Sequence, residues 1–181
     1  MEWTNLTVTG EKVIIFRKRI AGVSASTLAR FVLRARRVVP LRDTVNVLVT
    51  TSAELRSLNR RFRGADKPTD VLSFPSSPLA TRQNQRVAGD VAISADIARS
   101  NARRFGHSVG DEVKILVLHG ILHLAGFDHE QDNGEMARKE TQLRRQLKLE
   151  GGLIERTGSP TRSVSIRKLS KDRPSTKRKT A

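Results

Sequence analysis

The longest apolar stretch of the chain runs from Ile115 to Ala125, and only His119, Gly120 and His123 interrupt it. A helix that is apolar on every side is buried, so this stretch predicts the central helix of the domain. Polar groups placed there are costly unless something satisfies them. The two histidines are therefore the first candidates for chemistry.

Shorter patterns on either side predict the remaining elements. Ser108 can cap the start of the central helix and Gly126 can end it in a left-handed conformation. Short apolar runs rich in β-branched residues predict four strands, at 13–16, 45–50, 71–74 and 87–94. In the last of these strands, Gly89 and Asp90 indicate a bulge or kink. Helical periodicity predicts four further helices, from Ser24 or Ser26 to 39, over 54–62, over 95–105 and from 133 or 134 to 149. Residues 75–87, rich in Ser, Pro, Gln and Arg, are predicted to form a loop.

This mixed order, without strict alternation of strands and helices, predicts an α+β fold. We expect a single domain over residues 1–152, in which a mixed sheet of about four strands and about five helices surrounds the buried central helix. Residues 153–181 are rich in Ser, Thr, Lys and Arg and poor in apolar residues. We expect them to form a disordered basic tail.

Composition narrows the class of protein. The chain has 181 residues and no cysteine, which excludes disulfides and thiolate metal sites. It has no apolar run near the roughly 20 residues of a membrane span and no signal peptide at its start, so a soluble cytoplasmic protein without a membrane partner is expected.

The formal net charge of +16 predicts a polyanionic partner, of which nucleic acid is the commonest. Residues 156–181 contain nine of the 34 Lys and Arg residues and one of the 18 acidic residues, so half of the excess charge lies there.

The spacing of three histidines predicts a metal site. His119 and His123 are four residues apart and project from one face of a helix. Gly126 can reverse the chain and bring His129 back over the same face. Three imidazoles with a fourth position open to water are typical of catalytic zinc, whose bound water has a pKa near about 7.

Zincin proteases share this spacing but carry a glutamate general base after the first histidine, where this chain has Gly120. A glycine inside a buried helix indicates that something approaches closely, either substrate or a packed neighbour. His107 lies outside the ligand spacing and is expected to be a surface or helix-junction residue.

The run H-G-I-L-H-L-A-G-F-D-H over 119–129 resembles the signature of the YbeY family of bacterial rRNA maturation factors. Two more segments resemble the family in the same order, namely L-N-R-R-F-R (58–63) with P-T-D-V-L-S-F-P (68–75), and A-G-D-V-A-I-S (88–94). The likeness covers residues 43–150 well, the first 40 loosely and the tail not at all. Phe127 stands where the family usually has tyrosine.

The resemblance implies one Zn²⁺ per chain, with His119, His123 and His129 as its ligands. It also places the family's conserved functional arginine on Arg63. A guanidinium is always protonated and can hold two phosphoryl oxygens at once, which suits charge that builds up during RNA cleavage.

Five further residues in or near these motifs are candidates for supporting roles. Lys67 could contact a phosphate, although an ordinary surface lysine is the plainer interpretation. Asp128 either orients a ligand imidazole or caps its loop. Asp70, Ser73 and Asp90 either line the cleft or serve turn and bulge chemistry.

The resemblance therefore implies a single-strand-specific, zinc-dependent endoribonuclease, active in late 16S rRNA maturation at the 3′ end and in 70S ribosome quality control. Its partners would be rRNA and the ribosome. The alternative is an RNA- or ribosome-binding assembly factor whose zinc is structural or vestigial. A hydrolase of peptides or small molecules is disfavoured by Gly120 and by the net charge.

Overall fold

A computed structural model describes residues 14–76, 81–82, 85–128 and 132–149. Its strands are β1 (Ile14–Phe16), β2 (Thr44–Thr50), β3 (Val71–Pro75), β4 (Thr81–Arg82) and β5 (Gln85–Ser94). The main sheet has the order β1-β2-β5-β3, in which β1, β2 and β5 are parallel and β3 is antiparallel to β5. The predicted mixed sheet of about four strands is confirmed.

Two features of β5 refine the predicted strand. Its pairing with β2 shifts register between Thr44 and Val45, opposite Val87 and Gly89, so the predicted irregularity is a bulge in this strand. Its first residues pair with β4, which lies inside the predicted loop. A two-residue strand is too short to show an alternating pattern, so the sequence could not reveal it.

Five helices accompany the sheet, as predicted: α1 (Ala25–Val38), α2 (Ser52–Arg63), α3 (Ala95–Phe105), α4 (Val109–Leu124) and α5 (Glu135–Gln146). The first four begin at hydroxyl side chains that accept a backbone N–H in the first turn, namely Ser24, Thr51, Ser94 and Ser108. The last helix ends three residues before the predicted Leu149, because the chain turns at Leu147 and Lys148 has a φ of +57°.

The two faces of the sheet bury different helices. Val47, Val71 and Val91 lie on the face that packs against α1, α3, α4 and α5, and this cluster is the main core. Leu48, Leu72 and Ala92 alternate with them on the opposite face, where Leu55 of α2 covers them. The helix α4 is therefore central, as predicted, and α2 lies across the sheet from it.

The predicted tail at 153–181 and the predicted domain boundary at 152 lie outside the described residues. In the ranges that are described, no helix is long and apolar enough to cross a membrane.

Candidate metal centre

The helix that carries the histidines is fixed at its start by a local cap. The Ser108 hydroxyl accepts the Asp111 N–H at 3.0 Å and donates to the Asp111 carboxylate at 2.7 Å. Burial alone would raise the pKa of Asp111, but the bonds from Lys114 and Ser108 outweigh it and lower the pKa below its ordinary value. The negative charge is thus kept at the positive end of the helix dipole.

Near its end, α4 lies directly on the sheet. A Cβ atom placed on Gly120 would lie 2.7 Å from Cγ1 and 2.9 Å from Cγ2 of Val91, and 3.1 Å from Oγ of Ser73. That same Ser73 hydroxyl donates to the Gly120 carbonyl at 3.2 Å. The close approach that the glycine indicated is therefore to a packed neighbour, the sheet.

His119 and His123 meet at the C-terminal half of this helix. Their Nε2 atoms are 3.2 Å apart, and their ring centroids are 4.8 Å apart with ring planes at 76°. Both residues are buried, with 7% and 2% of their surface exposed. Two imidazole nitrogens therefore converge on one point, as the four-residue spacing predicts.

A carboxylate that the sequence analysis missed holds one of these rings. Oε2 of Glu140 on α5 lies 2.9 Å from Nδ1 of His119, and its Oε1 accepts from Arg144. Glu140 is 8% exposed and lies in the apolar stripe of α5 with Met136 and Leu143. An acidic residue in the stripe that faces the core was the signal available in the sequence.

These two imidazoles fit a zinc ion. Tetrahedral coordination at about 2.0–2.1 Å places two ligand nitrogens about 3.3 Å apart, close to the 3.2 Å observed here. The carboxylate on Nδ1 of His119 favours the tautomer whose proton is on Nδ1, which leaves the Nε2 lone pair for a metal. His129, the third predicted ligand, lies outside the described residues. Within the described set no group of three potential ligands converges, so the pair is at most part of a site.

Arg63 is the last residue of α2, which Gly64 ends with a φ of +68°. Its Nε and Nη2 atoms are shielded from solvent, whereas the neighbouring Arg60 and Arg61 are exposed. The structure thus places the predicted catalytic cation at the end of a helix on the other face of the sheet from α4.

Two contacts hold the turn that follows Arg63. Asn59 donates from Nδ2 to the carbonyl of Lys67 at 2.8 Å. Arg56 grips both carboxylate oxygens of Asp66, at 2.8 and 2.9 Å. This hydrogen-bonded pair lowers the pKa of Asp66 and raises the pKa of Arg56. The loop between α2 and β3 is therefore tied to the helix that carries Arg63.

Comparison with known proteins identifies the family of the chain. The profile of the family described as endoribonuclease YbeY matches residues 14–148. A protein named endoribonuclease YbeY from Koribacter versatilis is 53% identical over 156 residues, which are 86% of this chain and 99% of that relative. Another of the same name from Solibacter usitatus is 45% identical, over 81% of this chain and 95% of its own length.

The chain belongs to the endoribonuclease YbeY family.

The solution structure of TM1509 from Thermotoga maritima is a structural relative. It is 30% identical to this chain, with a TM-score of 0.50, over 75% of this chain and 88% of that one. The α+β fold described above is thus shared with a solved structure.

The other predicted site residues in the YbeY motifs lie in different surroundings. Ser73 is buried and bonded to α4. Asp70 is buried before β3, where its carboxylate accepts the Val71 N–H at 2.9 Å. Asp90 accepts from Nδ2 of Asn46 at 2.7 Å, on the face of the sheet that carries α2. Lys67 is exposed.

For Ser73, Asp70 and Asp90 the turn and bulge interpretation has direct contacts to support it, whereas Lys67 has the exposure of an ordinary surface lysine. Asp128 is half-buried beside the segment 129–131, which lies outside the described residues.

His107 was expected to be either a surface residue or a helix-junction residue. It lies at the junction of α3 and α4, and it is not on the surface. Its side chain is 5% exposed, and its Nε2 lies 2.7 Å from Oε2 of the fully buried Glu112. Asn101 donates to the other oxygen of that carboxylate at 3.0 Å. A second buried His–Glu pair therefore exists in the same domain, away from the paired Nε2 atoms.

Proposed function

We propose that this protein is a zinc-dependent endoribonuclease that cleaves single-stranded RNA, and that it acts in the cytoplasm on ribosomes and rRNA. Its role would be maturation of the 16S rRNA 3′ end and quality control of 70S ribosomes. The observation that carries the proposal is the pair of buried Nε2 atoms 3.2 Å apart, in a chain that belongs to the endoribonuclease YbeY family.

The residues that would hold the zinc ion are His119, His123 and His129. Bound there, zinc supplies Lewis acidity and lowers the pKa of water towards about 7. Glu140 fixes the tautomer and the orientation of His119, so its Nε2 is presented without a proton. The protein's part is to hold the Nε2 atoms of His119 and His123 close together for the ion.

Arg63 supplies the permanent positive charge that the cleavage needs. Negative charge builds on the phosphoryl oxygens as the phosphodiester reacts, and a guanidinium can donate two parallel hydrogen bonds to it. Part of its guanidinium is shielded from solvent, and the attraction between this cation and a phosphoryl oxygen is stronger where less water surrounds the two groups.

Peptide hydrolysis fits this chain poorly. An amine leaves badly unless a general acid protonates it, and zincins use the glutamate after the first histidine for this purpose. Here that position is Gly120, and a side chain on it would collide with Val91 and Ser73, so the position has no room for a glutamate. The excess of positive charge favours RNA over most peptides.

The test combines elemental analysis with cleavage of a defined single-stranded RNA. We expect about one zinc per chain and cleavage that a chelator abolishes and added Zn²⁺ restores. His123→Ala should lose both metal and cleavage, because two imidazoles remain where three are needed. Stoichiometric zinc without any cleavage would contradict the proposal and favour the assembly factor.

Arg63→Ala separates the cation from the metal in the same assay. It should keep its zinc and lose rate by roughly 10²–10³-fold, as when one oxyanion donor is removed from other enzymes. Arg60→Ala, one turn earlier and exposed, is the matched control and should cleave at a rate near that of the parent. Equal rates for Arg63→Ala and the parent would assign the role to another group.

A further inference from the structure

The end of α2 exposes an aromatic ring to water. Phe62 is 47% exposed and is the only exposed large hydrophobic residue among those that the structure describes. Its ring contacts Phe74 of β3 edge to face, with centroids 5.3 Å apart and planes at 69°. The ring therefore contacts the sheet through Phe74, while about half of its surface faces solvent.

A cation lies over this ring, and another follows it in the chain. The guanidinium of Arg61 lies over it, 5.2 Å from the ring centroid. Arg63 follows it in the chain. Asp66, an acidic residue in the turn that follows α2, is already bound to Arg56. The surface around Phe62 is therefore positively charged.

An aromatic ring among cations is suited to a particular ligand. A protein interface needs about 800 Å² from each partner, far more than one ring offers, and its core is depleted in charge. A nucleobase needs only one flat face, and the phosphates on either side of it need cations. Bases in a duplex are already stacked on both faces, so only single-stranded RNA can use such a ring.

We propose that Phe62 and Arg61 form a stacking platform for one base of single-stranded RNA, adjacent to Arg63. The platform rests on the proposed function and extends it, because it gives a physical reason for single-strand preference. The phosphate next to the stacked base would lie beside Arg61 and Arg63, so base stacking and phosphate contact act on the same stretch of the strand.

Binding of two fluorescent probes in the presence of chelator tests this without cleavage. One probe is a ten-residue oligouridine, and the other is an abasic sugar–phosphate strand of the same length. Phe62→Leu keeps apolar volume but removes the flat π face, so it should weaken oligouridine binding by roughly 5- to 150-fold. It should leave binding of the abasic strand unchanged, and Phe62→Trp should bind oligouridine at least as tightly as the parent.

The chain offers a matched control. Phe105 at the end of α3 also has an arginine over its ring, Arg104 at 5.3 Å from the centroid. Phe105→Leu should bind both probes like the parent. The salt dependence gives a further readout, because Arg61→Ala should reduce the slope of log K against log salt by about 0.7, whereas Phe62→Leu should not change it.

Three results would overturn the platform. Equal oligouridine binding by Phe62→Leu and the parent would mean that the ring serves another partner, such as a protein. Equal weakening for both probes would mean that the ring shapes the charged surface without stacking. These two results overturn the platform alone, whereas a parent protein that binds neither probe would overturn the proposed function as well.

Discussion

At the scale of single residues, the candidate metal centre depends on which nitrogen of His119 carries the proton. Its Nδ1 faces a carboxylate oxygen of Glu140 at 2.9 Å, and a carboxylate can only accept there. The proton is therefore assigned to Nδ1, and the Nε2 lone pair faces Nε2 of His123. One side chain from a different helix thus favours the tautomer of His119 that can bind a cation.

Replacing Glu140 should weaken the affinity of the protein for zinc. Glu140→Ala frees the His119 tautomer and leaves Arg144 without its carboxylate, so zinc affinity should fall by about 10–100-fold. Glu140→Gln keeps an acceptor for Nδ1–H and should retain more of the affinity. Competition against a chromophoric chelator measures the affinity, and the d–d spectrum of Co²⁺-substituted protein reports the ligand geometry.

Glu112→Gln is the matched control, since Glu112 is also a buried carboxylate paired with a histidine. That variant should lower the melting temperature and leave zinc affinity as in the parent. Equal zinc affinities for Glu140→Ala and Glu112→Gln would show that Glu140 merely fills space.

Residues of the site that are close together in the sequence could be predicted, and the residue that is far from them in the sequence could not. His119 and His123 were predictable because a helix places residues four apart on one face. Glu140 is 21 residues from His119, and its pairing depends on how α5 packs against α4, which no local pattern encodes.

At the scale of elements, the approach of α4 to the sheet sets the position of the histidines. Gly120 brings the helix against Val91 of β5, and the Ser73 hydroxyl joins it to β3. Helix starts were predictable because a cap is a local bond between residues three apart. The neighbour of Gly120 was not, since it lies on a strand 29 residues away in sequence.

Gly120→Ala should destabilise the domain although alanine is the better helix former. The new Cβ would lie 2.7 Å from a Val91 methyl, and rotating a β-branched side chain only exchanges one methyl for the other. Overpacking of this kind costs about 1–3 kcal/mol, against a helix-propensity gain of up to about 1 kcal/mol. The free energy of unfolding from denaturant titration measures the balance.

Gly110→Ala tests the same substitution in the first turn of the same helix. Its Cβ would meet nothing closer than 3.6 Å, so the variant should be neutral or slightly more stable. The double variant Gly120→Ala/Val91→Ala should lose less stability than the two single losses combined, because removing the methyls makes room. Additive losses would show that the two positions do not collide.

At the scale of the whole molecule, the sequence predicted the net charge completely but the fold only in part. The order of strands and helices followed from periodicity, and the mixed sheet followed from that order. The placement of α2 and α4 on opposite faces did not, because it depends on which alternating residues of β2, β3 and β5 each helix covers. Net charge needs no structure at all, so the prediction of a polyanionic partner rests on sequence alone.

The basic segment 156–181 is predicted to act as an electrostatic tether that the domain does not need for folding. It contains nine Lys and Arg residues, one Asp and few apolar residues, so deleting it removes charge but little that could pack. Melting temperature and zinc content should stay as in the full chain, while RNA binding weakens. The slope of log K against log salt should shrink by about 0.7 for each RNA phosphate that the protein no longer binds, because fewer counterions are released.

A variant of full length with these Lys and Arg residues changed to Gln separates charge from chain length, and it should behave like the deletion. Binding that matches the parent at every salt concentration, for either variant, would place all of the RNA-binding residues in the rest of the chain.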